Sequence, residues 1–192
     1  MHDLGSATAA LATLVKHIDD SQLAAPTPCS AYALGDLLDH VDGLALAFTV
    51  AARKESSGEG PPPPGDASRL AQDWRTRIPR RLEELATAWR DPAAWEGTTA
   101  AGGVEMDGAT TALVATNEVV VHGWDIARAS GQEFEPGDES VAAARAFVEM
   151  FSGPGTEAMR GEIFGPEVAA AEGATAMEQL VAMTGRDPRW TA

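Results

Sequence analysis

The chain has 192 residues, enough to bury a sizeable core with neither a disulfide nor a structural metal needed for folding. Apolar residues make up 44 % and charged residues 22 %, which fits a globular protein and excludes a disordered or fibrous one. Fourteen basic against twenty-nine acidic side chains give a net charge of −15, a field that repels phosphate backbones and anionic lipid, so neither nucleic acid nor a membrane surface is an expected partner.

The first twenty residues lack a basic leader pattern, and the mature chain is expected to start near Met1. Leu4, Leu11, Leu14, Val15 and Ile18 recur at helical spacing and predict a first amphipathic helix over 3–19. After turn chemistry at Pro26 and Pro28, Leu34, Leu37, Leu38, Val41, Leu44 and Phe48 line one face of a second helix over 33–54. Four consecutive prolines make 55–66 a loop. A third helix is expected over 67–90 on the stripe Leu70, Trp74, Ile78, Leu82 and Leu85, with Pro79 as a point of kinking.

Residues 91–107, with Trp95 and the pair Gly102-Gly103, read as a further loop. The run Val119-Val120-Val121 has strand character, but Ala112, Ala115, Val119, His122 and Ile126 keep helical spacing and Gly131 stands where a C-cap belongs, so 108–130 reads as a fourth helix. Shorter helices are expected over 138–151 and 174–184, the last stopped by Gly185 and Pro188. The expected architecture is all-α, an antiparallel four-helix bundle in one domain over 1–192, with residues 132–192 packed on it.

Cys29 is the only cysteine, which excludes an intrachain disulfide and a Cys-rich zinc site and fits a reducing cytoplasm. The longest weakly polar run, 43–52, is about half of a bilayer span. Arginine supplies nearly all the positive charge, with Lys only at 16 and 54, and together with abundant alanine this fits a high-GC bacterial genome.

Chemistry concentrates in two histidines. His2 and His17 read as solvated or capping residues. His40 sits between Leu37-Leu38 and Val41, beside an apolar face, with Asp36 one turn behind. Glu118 and His122 are four apart, so a helix sets their Cβ atoms about 5 to 6 Å from one another on a face shared with Ala115 and Ile126. An unpaired charge there is costly, and a divalent cation relieves that cost. His40, Glu118 and His122 together offer two nitrogens and one carboxylate oxygen, the donor set of a zinc-like site with an open position. Asp125 and Asp36 are the carboxylates placed to hold the imidazole N–H groups of His122 and His40. The alternatives are a core-edge histidine bonded to Asp36, a Glu118–His122 ion pair without metal, and Asp125 as surface charge paired with Arg128. Cys29 has no basic neighbour in sequence and reads as packing, Trp124 as core or pocket wall, and Arg186 as part of the last helix stop.

Several stretches resemble a known family. Thr27-Pro-Cys-Ser-Ala-Tyr through Leu37-Leu-Asp-His40, Asn117-Glu-Val-Val-Val-His-Gly-Trp-Asp-Ile-Ala-Arg-Ala-Ser-Gly131, Phe164-Gly-Pro-Glu-Val and Thr184-Gly-Arg-Asp-Pro are similar to actinobacterial metal-binding proteins of the DinB-like superfamily. These are related to the metal-binding domain of mycothiol-dependent maleylpyruvate isomerase. The resemblance implies a DinB-like four-helix bundle with one divalent metal, zinc or alternatively nickel, on His40, Glu118 and His122. It further implies a thiol cosubstrate of the mycothiol type, an electrophilic small-molecule substrate, transferase or isomerase chemistry, and a homodimer by superfamily analogy. Tyr32 and Ala33 stand where such sequences often have Trp and Thr, which weakens a helix N-cap and leaves the ligands intact. With about sixty residues after the fourth helix in place of a further domain, maleylpyruvate isomerase activity itself is not expected. A non-catalytic metal-binding or ligand-sensing module stands as the alternative function.

Overall fold

Leu11, Leu14 and Val15 fall on one side of α1 (Gly5–Lys16), and all are buried, as are Leu4 and Ile18 beyond its two ends. The same logic builds α2 (Leu34–Ala52), which buries Leu34, Leu37, Leu38, Val41, Ala45 and Phe48, and α3 (Trp74–Ala88), which buries Trp74, Ile78, Leu82 and Leu85. With α4 (Gly108–Ser130) these helices form a ring in which α1 and α2 each pack against both α3 and α4. The structure, a computed structural model, describes residues 1–55, 63–153 and 155–192. Most of the expected 55–66 loop therefore lies outside the described residues. No helix among them is long and apolar enough to cross a membrane.

Helix ends differ from the sequence expectation for local reasons. α1 stops at Lys16 because Asp19 opens a separate 3-10 turn over Asp20–Gln22, its own N–H donating to the Gln22 side chain at 2.9 Å. α3 begins at Trp74, not near residue 67, because Asp66 accepts from Ser68 N–H and starts a short 3-10 turn over Ala67–Arg69. Pro79 lies inside α3, and the helix continues through it to Ala88.

Residues 91–107 are more ordered than a loop. After a 3-10 turn over Pro92–Trp95, β1 (Thr98–Ala101) and β2 (Val104–Asp107) form an antiparallel hairpin in the register Thr98 to Asp107 and Ala101 to Val104. Gly102 and Gly103 have φ of 59° and 81°, the left-handed pair that a two-residue hairpin turn requires. The Gly-Gly signal was present in the sequence, but strands of four residues carry too little alternation to announce themselves.

α4 runs over the predicted span. Asp107 caps it by accepting from Thr110 N–H at 2.8 Å, and Gly131 ends it at a φ of 70°. The three consecutive valines, strand-like in isolation, are buried as helix because α4 packs against neighbours on several sides. α5 (Asp138–Glu149) packs on α4, and α7 (Ala176–Met183) packs on α5. A further short helix, α6 (Glu157–Ile163), was not expected, since seven residues are too few for a visible period. Gly123 lets the Phe134 ring pack directly on α4, where a Cβ would lie 2.3 Å from it.

Candidate metal centre

The hairpin and the Asp107 cap fix where α4 begins, and the 3.6-residue repeat then places Glu118, His122 and Asp125 along one inward face. Glu118 Oε2 lies 3.2 Å from His122 Nε2. On the far side of the same ring, His122 Nδ1 lies 3.0 Å from Asp125 Oδ2. An ionised carboxylate only accepts, so an Nδ1 proton faces Asp125 and, without a metal, an Nε2 proton faces Glu118, where a cation would take its place.

α2 brings the third group. His40 Nε2 is 3.7 Å from Glu118 Oε2, and the His40 and His122 rings meet edge to face at 5.1 Å. One donor atom from each of His40, Glu118 and His122 fits within 4.8 Å of the others. Two imidazole nitrogens and a carboxylate oxygen at these separations suit a small divalent ion such as zinc. Tyr32 packs against His40 with ring centroids 5.2 Å apart. The loop that presents Tyr32 is closed by Thr27, whose hydroxyl contacts the carbonyls of Cys29 and Tyr32 at 2.9 and 2.8 Å.

Asp36 does not reach His40. Its Oδ2 accepts from Ala33 N–H at 3.1 Å, the N3 half of a capping box, and its Oδ1 accepts from Ala67 N–H at 2.8 Å. Asp125 is fully buried and does not pair with Arg128. Its partner is Arg186, bound through Nε to Oδ1 at 3.2 Å and through Nη2 to Oδ2 at 2.9 Å. Arg186 is thus more than a helix stop: it spans from the C-terminal segment to the back of the His122 ring. A buried aspartate on the core face of α4 demanded a cation, and only that demand could have pointed to Arg186 from the sequence. Arg128 instead binds the Trp190 carbonyl and lies over Trp124, which packs in the core.

Electrostatics follow from this arrangement. Burial alone would raise the Glu118 pKa, but hydrogen bonds and charge from His122 and His40 outweigh it and hold the carboxyl below its ordinary range. Burial likewise disfavours a charged His122, yet Asp125 and Glu118 override it and push the imidazole up to about 9. Against its own burial, Asp125 is held low by His122 and Arg186.

These groups open onto a cleft of about 670 Å³ bounded by the Pro28–Tyr32 loop, α2, α4, the Ile163–Gly165 segment and Thr184–Arg186. Leu44, Phe48, Val121 and Phe164 give it an apolar wall. Asn117 also lines it, buried, with an amide oxygen that has no hydrogen-bond partner among the described residues. Cys29, read from sequence as packing without a basic neighbour, is half-buried in this cleft within 4.8 Å of donor atoms of His122 and Asp125. Burial, followed by the Asp125 charge, pushes its thiol pKa up. His2 also departs from expectation: its Nε2 lies 2.7 Å from Thr116 Oγ1 and its ring meets Trp95 edge to face, and burial lowers its pKa. His17 is exposed at the C-cap of α1. A larger groove of about 900 Å³ between α1 and α3 gathers no such donor set among the described residues.

Comparison with known proteins gives a consistent picture. A family profile described as the mycothiol maleylpyruvate isomerase N-terminal domain matches residues 4–127. Two uncharacterized proteins from two strains of Mycobacterium tuberculosis are each 30 % identical over 185 residues, spanning 94 % of this chain and 93 % of theirs. Two crystal structures of mycothiol-dependent maleylpyruvate isomerase, one of them a point mutant, match with TM-scores of 0.57 and 0.54 at 18 % and 17 % identity. Each match covers 79 % of this chain and 72 % of the other, and at that identity it is a likeness of fold.

Proposed function

Because the chain belongs to the mycothiol maleylpyruvate isomerase N-terminal domain family and has its DinB-like helical fold, we propose that it is a metal-dependent thiol transferase or isomerase using a mycothiol-type cosubstrate. The observation that carries this reading is the convergence of His40, Glu118 and His122 at the floor of a cleft large enough for an organic ligand. When bound, a divalent ion, zinc first and nickel second, supplies a Lewis-acid position at which a thiol is held as thiolate.

The chain's own residues do the rest. Asp125 keeps the His122 proton on Nδ1, so Nε2 remains a donor to the ion, and Arg186 keeps Asp125 ionised where burial alone would protonate it. Tyr32 restricts the swing of the His40 ring. The apolar wall around Phe48 and Phe164 excludes water from an organic thiol and its electrophile, and strengthens every charge interaction inside. The raised pKa keeps Cys29 a neutral thiol, so it does not compete as nucleophile. A reducing cytoplasm suits both this free thiol and the cosubstrate.

Elemental analysis of untagged protein tests the site. About one zinc or nickel per chain is expected in the wild type, lost in His40→Ala, Glu118→Gln and His122→Ala. Equal metal content in all four overturns it. Given metal, mycothiol conjugation to a panel of electrophiles is expected to require the ion, and turnover that survives chelation overturns the catalytic role.

A further inference from the structure

A second, smaller cavity of about 220 Å³ adjoins the cleft, and His40 and Leu44 line both. Its walls mix opposite charges: Asp39 and Asp42 from α2, Arg69 from the turn before α3, and Arg77 and Arg81 from α3. Asp42 is buried, and Arg77 Nε and Arg81 Nη1 approach the same oxygen, Oδ2, at 3.0 and 2.8 Å. Its other oxygen, Oδ1, is buried with no hydrogen-bond partner among the described residues. A buried carboxylate oxygen without a donor is costly and calls for a ligand or water that donates to it.

Gly43 gives an independent indication. It lines this cavity from the interior of α2, and a Cβ built on it would meet nothing within 4 Å among the described residues. Neither helix packing nor a left-handed backbone requires glycine there, and glycine in mid-helix is less stable than alanine. What the missing side chain leaves is room.

We propose that this cavity receives the polyhydroxylated part of the thiol cosubstrate, an inference that rests on the thiol reading of the adjoining cleft. The chemistry selects hydroxyls over a phosphate or carboxylate. A hydroxyl donates to Asp42 Oδ1 and accepts from the arginines of the wall, whereas an anion accepts only and leaves Oδ1 without a donor. Mycothiol, a cysteinyl thiol joined to glucosaminyl-inositol, has such a part. With its sulfur near His40 and Glu118, the sugar-like end passes His40 and Leu44 into the smaller cavity.

The test uses the metal-loaded chain and two probes. The thiol-free glucosaminyl-inositol, titrated into the protein by NMR, reads the cavity alone. N-acetylcysteine added to the cobalt-substituted protein reads thiol ligation in the cleft through its charge-transfer band. Glucosaminyl-inositol is expected to shift the Gly43 amide and the Arg77 and Arg81 side-chain signals. Its affinity should fall at least tenfold in Gly43→Leu, while the N-acetylcysteine band is unchanged. Arg77→Met, which alters the wall from another helix, is expected to weaken the disaccharide in the same selective way. No disaccharide binding in the wild type, or undiminished wild-type affinity in both variants, overturns the proposal. Absence of the cobalt–thiol band overturns the thiol reading instead, so the two failures are distinguishable.

Discussion

The two sides of the proposed metal centre are held in different ways. On α4, His122 is fixed through a buried chain of charge, His122 to Asp125 to Arg186, which ties the imidazole to the C-terminal segment. On α2, His40 has no carboxylate behind it among the described residues, because Asp36 is spent on the helix N-terminus, and an aromatic contact with Tyr32 takes that place. One imidazole is thus oriented by charge and the other by packing.

The largest effect that would break this contrast is at Arg186. Arg186→Met leaves Asp125 buried without its cation and is expected to cost about 3 to 5 kcal/mol in urea unfolding, while Asp36→Ala on the other side, losing a cap, costs about 1 kcal/mol. Similar values for the two would mean that the buried chain of charge is not special. Next comes Asp125→Asn, expected to weaken metal affinity about 10- to 100-fold in a competition titration with a chelator, whereas Asp36→Asn leaves metal affinity unchanged. Tyr32→Leu should fall between them, with a few-fold loss measured in the same titration.

The pH dependence sharpens the same point. In the metal-free protein His122 is raised from 6.5 to about 9, so its stabilisation is complete below 6.5 and lost as pH rises through about 9. Glu118 and Asp125 are lowered, so theirs is complete above the ordinary values of 4.5 and 3.8 and lost as pH falls toward their depressed ones. Metal-free protein should therefore melt highest between about 4.5 and 6.5. Metal must displace the His122 proton, so zinc affinity should rise with pH up to about 9, followed by competition at several pH values. A flat profile would detach His122 from the ion.

The bundle was legible because long helices repeat an apolar period many times, and α4 was read correctly even through Val119-Val120-Val121. Glu118 and His122 were legible for the same reason, as neighbours on one helix. What the sequence hid was contact between distant segments. Arg186 lies 61 residues from Asp125 and looked like a helix stop, while Cys29 met its charged neighbours only in space. Asp36 was misassigned because one turn of separation fits a histidine partner and a helix cap equally well, and Ala33, unable to cap for itself, decided the matter.

Asp107 is at once the last residue of the hairpin and the cap of α4, and this governs where the chain tolerates insertion. One residue added between Asp107 and Glu118 rotates everything downstream by about 100° and turns the carboxylate and imidazole out of the cleft. A residue added between Gly102 and Gly103 only lengthens an exposed tip and leaves the rotational phase of α4 untouched. The tip is therefore the natural point for grafting a reporter or a fusion, and the short stretch after Asp107 is the least forgiving of length change.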